Sequence, residues 1–245
     1  NGSSINMENY DDISGLINME GENILVVKRK DKEITFTLKA STVNIPATTS
    51  DIIKSTNGKK TIGYISLHTF SSLAFEDFKD SLTTLEEEKK IDSLIIDVRG
   101  NTGGYLNVAT NITSLFLERN KVIYSLESKN KVTDYKDETD DKRDYKIVVL
   151  VNGSTASASE ILASALHDSY GAKIVGKKTF GKGKVQTMKH YEDSILKYTS
   201  AKWLRPNGEC VDEVGIVPDY EVDLVIEDDT IYDKQLDKAI ELLSK

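Results

Sequence analysis

Several residue types that often announce a function are scarce here. The 245-residue chain has one cysteine, Cys210. That excludes an internal disulfide framework and a structural zinc held by several thiolates. Cys210 lies in the turn-like run Pro206-Asn207-Gly208-Glu209-Cys210, and three histidines are all the chain offers as partners for a catalytic thiol. Only Pro46, Pro206 and Pro218 are prolines, so there is no proline-rich linker. No apolar run approaches 18 residues, and no apolar signal segment opens the chain at Asn1; a membrane-spanning helix is not expected. Positive charge is in deficit: 32 Lys and Arg against 40 Asp and Glu leave a formal charge of −8. This argues against general nucleic-acid binding, whose affinity comes from neutralising phosphates.

Hydrophobic residues make up 38% and charged residues 29%, too apolar for a disordered tail and typical of a globular chain. The length suits one large domain, or one domain and a fragment. The first 45 or so residues stand apart. Asn9 to Asn18 has helical spacing through Tyr10, Ile13, Leu16 and Ile17, and Asn23–Arg29 and Glu33–Lys39 read as two strands around Lys30-Asp31-Lys32. A helix and a hairpin cannot bury a core alone.

From Ile62 the pattern alternates. Ile62–Leu67 reads as a strand, followed by a helix through Phe75, Phe78, Leu82 and Leu85. The run from Glu86 to Lys90 reads as a solvated helix end. Leu94–Val98 is an all-apolar strand of the kind buried on both faces. A glycine turn and a helix through Leu106, Ala109, Ile112, Leu115 and Phe116 come next. Ile147–Val151 and Lys173–Gly176 are further strands, with a helix from Ser157 to about His167 between them. The polar stretch Lys129–Lys146 reads as a loop or exposed hairpin, and Asp233–Leu243 as a last amphipathic helix. The order implies an α/β domain, a central sheet with packed helices.

Three stretches could carry chemistry. Asp97-Val98-Arg99-Gly100-Asn101-Thr102-Gly103-Gly104 joins a buried strand to a helix. Consecutive glycines let backbone N–H groups converge on a phosphate or an oxyanion. It is neither a P-loop nor Gly-x-Gly-x-x-Gly. Val151 to Glu160 runs from a buried strand through small hydroxylated residues into a helix, where a serine at the N-terminus has amides and a favourable dipole nearby. It is equally a helix cap. Thr179-Phe180-Gly181-Lys182-Gly183-Lys184-Val185-Gln186 sets a lysine between glycines. To serve as a base its pKa must fall from about 10.4 to roughly 7–8, which burial can bring about.

Taken in order, Gly63-Tyr64-Ile65, Asp97-x-Arg99-x-Asn101-x-Gly103-Gly104, Ser157-Ala158-Ser159-Glu160, Asp168, Phe180-Gly181-Lys182-Gly183-x-Val185-Gln186, Gly215-Ile216-Val217-Pro218-Asp219 and Asp233-x-Gln235-Leu236 resemble the carboxyl-terminal processing peptidases, or tail-specific proteases, of peptidase family S41. The match runs from about Ile45 to the C-terminus. The resemblance implies an α/β peptidase core over 46–245, crotonase- or Clp-protease-like, preceded over 1–45 by the second half of a PDZ-like domain. It implies Ser157 as nucleophile, Lys182 as general base and Gln186 as the residue orienting the lysine. It places the oxyanion hole on the N–H of Ala158 and that of Gly103 or Gly104, with Glu160, Asp168 and Thr179 in supporting positions. It implies no cofactor and no metal, polypeptide substrates with apolar unstructured C-termini, and an extracytoplasmic setting, in the periplasm or at the cell surface, with a membrane anchor outside this sequence. A homo-oligomer is compatible.

Rivals exist for each role: Ser154 and Ser159 for the nucleophile, Lys184 for the base, His68 for a Ser–His arrangement. His167-Asp168 lies about ten residues along the helix from Ser157, a rise of roughly 15 Å, too far for a hydrogen bond. A noncatalytic binding module and a crotonase-like acyl-CoA enzyme are the competing readings of the whole chain. The first would be signalled by loss of Ser157, Lys182 or the Gly-Gly turn, all of which are present; for the second no CoA-binding feature is visible.

Overall fold

The computed structural model describes residues 2–6, 13–41, 45–129, 131–227 and 230–245. The chain separates into two compact units, Asn1–Ile45 and Pro46–Lys245.

In the first unit a short helix, α1 (Ile13–Leu16), precedes the antiparallel pair β1 (Glu22–Arg29) and β2 (Lys32–Lys39). The sequence predicted a helix over 9–18; residues 7–12 lie outside the described residues, and the described helix stops at Leu16. The ladder closes at Arg29 and Lys32. The turn is therefore two residues, Lys30 and Asp31, both at positive φ (47° and 60°), which suits the right-handed twist of a hairpin. Ile24, Val26 and Leu38 are exposed on these strands.

The second unit is built on a six-stranded sheet. Its strands are β3 (Thr48–Lys54), β4 (Thr61–Leu67), β5 (Ser93–Asp97), β8 (Lys146–Val151), β9 (Lys173–Gly176) and β12 (Tyr220–Glu221), in the order β12-β9-β8-β5-β4-β3. All neighbours run parallel except β3, which pairs antiparallel with β4. The crossovers carry α2 (Ala74–Thr83), α3 (Leu106–Ser114) and α4 (Ala158–Ala165), with π turns extending α2 through Glu88 and α4 through Tyr170. Because the strands advance across the sheet in one direction, right-handed crossovers put these helices on one face. There Leu94 and Ile96 meet Phe78, Ile112 and Leu162 in the larger core, and Phe78 and Phe116 pack edge to face at 6.1 Å. The other face, with Ile62, Ile95, Val148 and Val175, is closed by Ala239 and Leu243 of the last helix, α5 (Lys234–Ser244). Every residue of β5 is buried, which explains its unbroken apolar run.

A second sheet was not foreseen at its full extent. β6 (Val122–Ser128), β7 (Lys131–Lys136), β10 (Lys184–Tyr191) and β11 (Ser194–Leu204) form an antiparallel sheet in the order β10-β11-β6-β7. A short antiparallel pair, β13 (Val225–Glu227) and β14 (Thr230–Tyr232), follows. The polar stretch after Lys129 takes the hairpin form of the sequence reading, with β7 as its exposed strand, and continues as an irregular segment to Tyr145. The acidic end of α2 is also not simply solvated: the Glu86 carboxylate accepts hydrogen bonds from Arg143 and from the Tyr145 hydroxyl. Among the described residues no helix is long and apolar enough to span a membrane.

Four segments leave the C-terminal ends of β4, β5, β8 and β9. In open α/β sheets, ligands sit in the crevice at that edge.

Candidate active site

Ser157 is the turn between β8 and α4. Its backbone is at φ 58°, ψ −119°, a conformation costing a non-glycine residue on the order of 1–3 kcal/mol. The strain has a local restraint: the Ser157 N–H donates to Glu160 Oε2 at 2.8 Å. Glu160, three residues on in the first turn of α4, is completely buried. A buried carboxylate must be matched by donors, and here four converge. Ser157 N–H and Lys182 N–H (2.9 Å) share Oε2, while Gly181 N–H (2.8 Å) and Thr179 Oγ1 (2.6 Å) share Oε1. One carboxylate thus ties the backbone of the candidate nucleophile to the segment carrying the candidate base. Thr179 is itself fixed from behind, since its hydroxyl accepts the Ile216 N–H at 2.7 Å.

The glycine turn faces this elbow. A Cβ on Gly103 would lie 3.0 Å from both Ser157 Cβ and Ala158 N, and 2.8 Å from the Ala156 carbonyl oxygen. With φ at 104° as well, only glycine fits. The Gly103 N–H donates to Asn101 Oδ1 at 2.9 Å. Gly104 forms a parallel bridge with Phe70, through Phe70 N–H to the Gly103 carbonyl and Tyr105 N–H to the Phe70 carbonyl. Among the described residues the amides of Gly104 and Ala158 have no hydrogen-bond partner. The glycine turn and the start of α4 therefore offer two free N–H groups.

Lys182 and Gln186 differ from these groups. Both side chains are exposed. Lys182 is anchored through its backbone, by its N–H to Glu160 and by its carbonyl accepting Trp203 Nε1–H at 2.9 Å. Its Nζ has no hydrogen-bond or ion-pair partner among the described residues. The burial that would favour neutral lysine is not supplied by the chain itself. Gln186 stands on β10 beside a bulge at Val185/Gln186. Of the rivals, Lys184 is engaged with Asp212 and Glu213, Ser159 is buried with its hydroxyl on the Asn101 carbonyl, and Ser154 N–H caps onto Asn152 Oδ1 in an exposed turn. His68 is exposed, with long contacts of 3.5 Å to Thr49 and Ser66.

Asp168 does not join these groups. It accepts a bidentate bond from Arg205 (2.7 and 3.0 Å) and binds His167 Nδ1 at 2.6 Å. Burial works against its charge, yet His167 and Arg205 hold its pKa below the usual carboxylate range.

Sequence reasoning quoted Asp97, Arg99 and Asn101 but gave them no role, and overlooked what they meet. Asp97, at the end of β5, and Asp233, at the start of α5, both chelate Arg99, at 2.6–3.0 Å and 2.8 Å. Gln235 accepts from the same guanidinium at 3.0 Å, and Tyr64 donates to Asp97 at 2.8 Å. Burial disfavours the Arg99 charge, but the two carboxylates outweigh it and raise its pKa. Burial, then the neighbouring Asp97 charge, pushes the Tyr64 hydroxyl up to about 12. The signal was available: a charged Asp-x-Arg at the end of an all-apolar strand requires a partner.

The sequence profile of peptidase family S41 matches residues 61–222. The chain is 38% identical over 193 residues to the carboxy-terminal processing protease CtpA of Bacillus subtilis strain 168, covering 78% of this chain and 40% of that protein. It is 34% identical over 234 residues to a probable CtpA-like serine protease of Staphylococcus aureus strain N315, covering 91% and 45%. The chain thus spans less than half the length of these relatives. Among solved structures, a photosystem II D1 C-terminal processing protease superposes with a TM-score of 0.69 at 26% identity, over 96% of this chain and 63% of that one. A putative S41 protease from Bacteroides fragilis shares the fold, with a TM-score of 0.65 at 17% identity over 90% and 65%. With its glycine turn, strained serine and lysine loop at one sheet edge, the chain belongs to peptidase family S41.

Proposed function

We propose that this chain carries the catalytic unit of a C-terminal processing peptidase, which cuts polypeptides near apolar, unstructured C-terminal tails. The observation that carries this reading is the Glu160 clamp, in which one buried carboxylate oxygen receives the N–H groups of both Ser157 and Lys182. A binding module has no need to lock a strained serine to a lysine segment.

Ser157 Oγ attacks the scissile carbonyl carbon while neutral Lys182 takes its proton. The carbonyl π pair becomes an oxyanion, stabilised by the N–H groups of Ala158 and Gly104; Gly103 is set aside because its N–H is already spent on Asn101. Collapse breaks the C–N bond, and the Lys182 ammonium returns the proton to the leaving amine. Water, deprotonated by Lys182, then attacks the ester carbonyl; collapse breaks the C–Oγ bond, the Lys182 ammonium returns its proton to Ser157 Oγ, and the carboxylic acid product leaves. Since the Lys182 side chain is exposed here, it is open to being covered by bound substrate. Exposed Phe180 and Val214 on the lysine side, and Tyr105 and Leu73 on the glycine side, suit apolar substrate residues. No group in this scheme calls for a metal or cofactor.

The N-terminal unit is the second half of a PDZ-like domain in this reading, and the enzyme works outside the cytoplasm. The test is cleavage of an unstructured protein ending in apolar residues. The expected result is activity in the parent and in His68→Ala, and none in Ser157→Ala or Lys182→Ala. Cutting that survives Lys182→Ala overturns the dyad. A folded parent that binds the tail without cutting it favours the binding-module reading.

A further inference from the structure

Asn101 lies between the two halves of the candidate oxyanion hole and is 1% exposed. All four of its polar groups are engaged. Its N–H donates to the Val98 carbonyl, closing the turn after β5. Its Nδ2 donates to the Leu67 carbonyl at 2.8 Å, at the end of β4. Its Oδ1 accepts the Gly103 N–H at 2.9 Å. Its carbonyl accepts both the Ala156 N–H at 3.1 Å and the Ser159 hydroxyl at 2.9 Å, on either side of Ser157–Ala158.

We infer that Asn101 is a positioning residue that builds the oxyanion hole, an assignment resting on the peptidase reading above. It acts in two ways. Through its carbonyl it fixes the elbow bearing Ala158 N–H against the glycine turn. Through its side chain it draws the Gly103 N–H inward, so that the next amide, Gly104, is the one presented. With the Gly103 N–H held by Asn101, the Gly104 N–H is the one left without a partner among the described residues. Two donors preset at the place where charge develops are worth far more than mobile ones, and losing one oxyanion donor costs about a hundredfold to a thousandfold in rate.

Two experiments test this, one independent of catalysis. In amide hydrogen exchange of the parent, Gly103 exchanges slowly and Gly104 rapidly; in Asn101→Ala, Gly103 exchange accelerates by at least about tenfold. Equal exchange at the two glycines in the parent, or an unchanged Gly103 in the variant, overturns the inference even if the chain proves to be a peptidase. Conversely, a parent that cuts nothing defeats the peptidase reading and leaves the exchange result to judge the turn.

In the second experiment, kcat of Asn101→Ala falls by about ten- to a hundredfold with KM nearly unchanged, and affinity for a peptide aldehyde falls in parallel. An equal loss in substrate affinity, with aldehyde affinity intact, overturns it. Asn101→Asp provides the variant if Asn101→Ala fails to fold. The carboxyl introduced by Asn101→Asp can, when neutral, donate to the Leu67 carbonyl and accept from Gly103 as the amide does, whereas the carboxylate cannot donate. The kcat ratio of Asn101→Asp to parent therefore rises as pH falls. A ratio independent of pH contradicts the positioning role.

Discussion

The two sides of the candidate site are held in opposite ways. On the glycine and serine side, backbone and side chain alike are committed: Asn101 is engaged at every polar group, Ser157 is strained and restrained, and Glu160 is buried under four donors. On the lysine side only the backbone is fixed. Lys182 extends into solvent from the loop before β10, and Gln186 from β10 itself, in the exposed ladder of β10 and β11. Groups that stabilise an oxyanion act through preset geometry, so rigidity there serves the chemistry. In the proposed mechanism a lysine base must instead lose water before it can act, and the exposed Lys182 side chain leaves room for substrate to cover it. The distinction makes unlike demands on mutation: on one side stability and activity should fall together, on the other activity alone.

The clamp gives the largest expected effect. Glu160→Gln puts an amide NH2 against two of the four donors. Burying unmatched polar groups costs about 1–3 kcal/mol each, so unfolding free energy should drop by several kcal/mol, with cleavage lost. Thermal unfolding and tail cleavage measured together check this. A variant as stable as the parent would show that the clamp is not what restrains Ser157.

Second is the base. Lys182→Ala should abolish cleavage, by about a thousandfold or more, yet leave the unfolding midpoint within a degree or two, because the side chain is exposed and its Nζ is unpartnered among the described residues. Gln186→Ala should lower kcat by about tenfold with the same indifference in stability. A marked loss of stability in either variant erases the contrast between the sides.

Third is the strut behind the glycine turn. Asp233→Ala removes one of the two carboxylates on a nearly buried guanidinium and the cap of α5, since Asp233 Oδ1 also accepts the Leu236 N–H at 3.0 Å. Loss of a cap alone costs about 1 kcal/mol, and partial loss of the ion pair adds to it. A denaturant midpoint lowered by the equivalent of about 2 kcal/mol, with kcat reduced severalfold, is expected. Asp233→Asn should restore much of the cap but not the charge balance.

How much of this could be read from the amino acids differs between strands and contacts. Leu94–Val98 and Ile147–Val151 announced themselves because a strand buried on both faces is apolar without interruption, and their alternation with helices implied an α/β domain. β10 and β11 did not: Lys184–Leu204 is largely exposed on both faces, so no alternation marks it. Ser157, Lys182 and Glu160 were picked out by resemblance, not by periodicity, and their convergence on one carboxylate is a three-dimensional fact. The choice between Gly103 and Gly104 was open in the sequence because it depends on which way a peptide plane faces, and only the fold shows the Gly103 N–H donating to Asn101. Asp168 fell into the supporting set by resemblance, but its partners are His167, the residue before it in the same π turn, and Arg205, just after β11.

That last cluster gives the smallest effect and a separate sign. His167 lies between Asp168 (2.6 Å) and Asp219 (3.4 Å), with Arg205 beside it and Lys173 on the far side of Asp219. The hydrogen bond that the Asp168 carboxylate accepts from the ring raises the His167 pKa above its ordinary value; burial opposes it and Asp219 adds to it. A histidine whose pKa is raised by folding binds its proton more tightly in the native state. Its contribution is therefore complete below the unfolded value of about 6.5 and disappears as pH rises through the folded value. The difference in unfolding temperature between the parent and His167→Asn should be greatest near pH 5.5 and shrink toward pH 8. Because the ring is partly exposed, a shift of a degree or two is the expected scale. Cleavage, corrected for the folded fraction, should follow the same curve in both proteins, since neither His167 nor Asp168 meets Ser157 or Lys182. A change in the pH profile of kcat in His167→Asn would instead connect this cluster to the lysine side through Arg205 and β11.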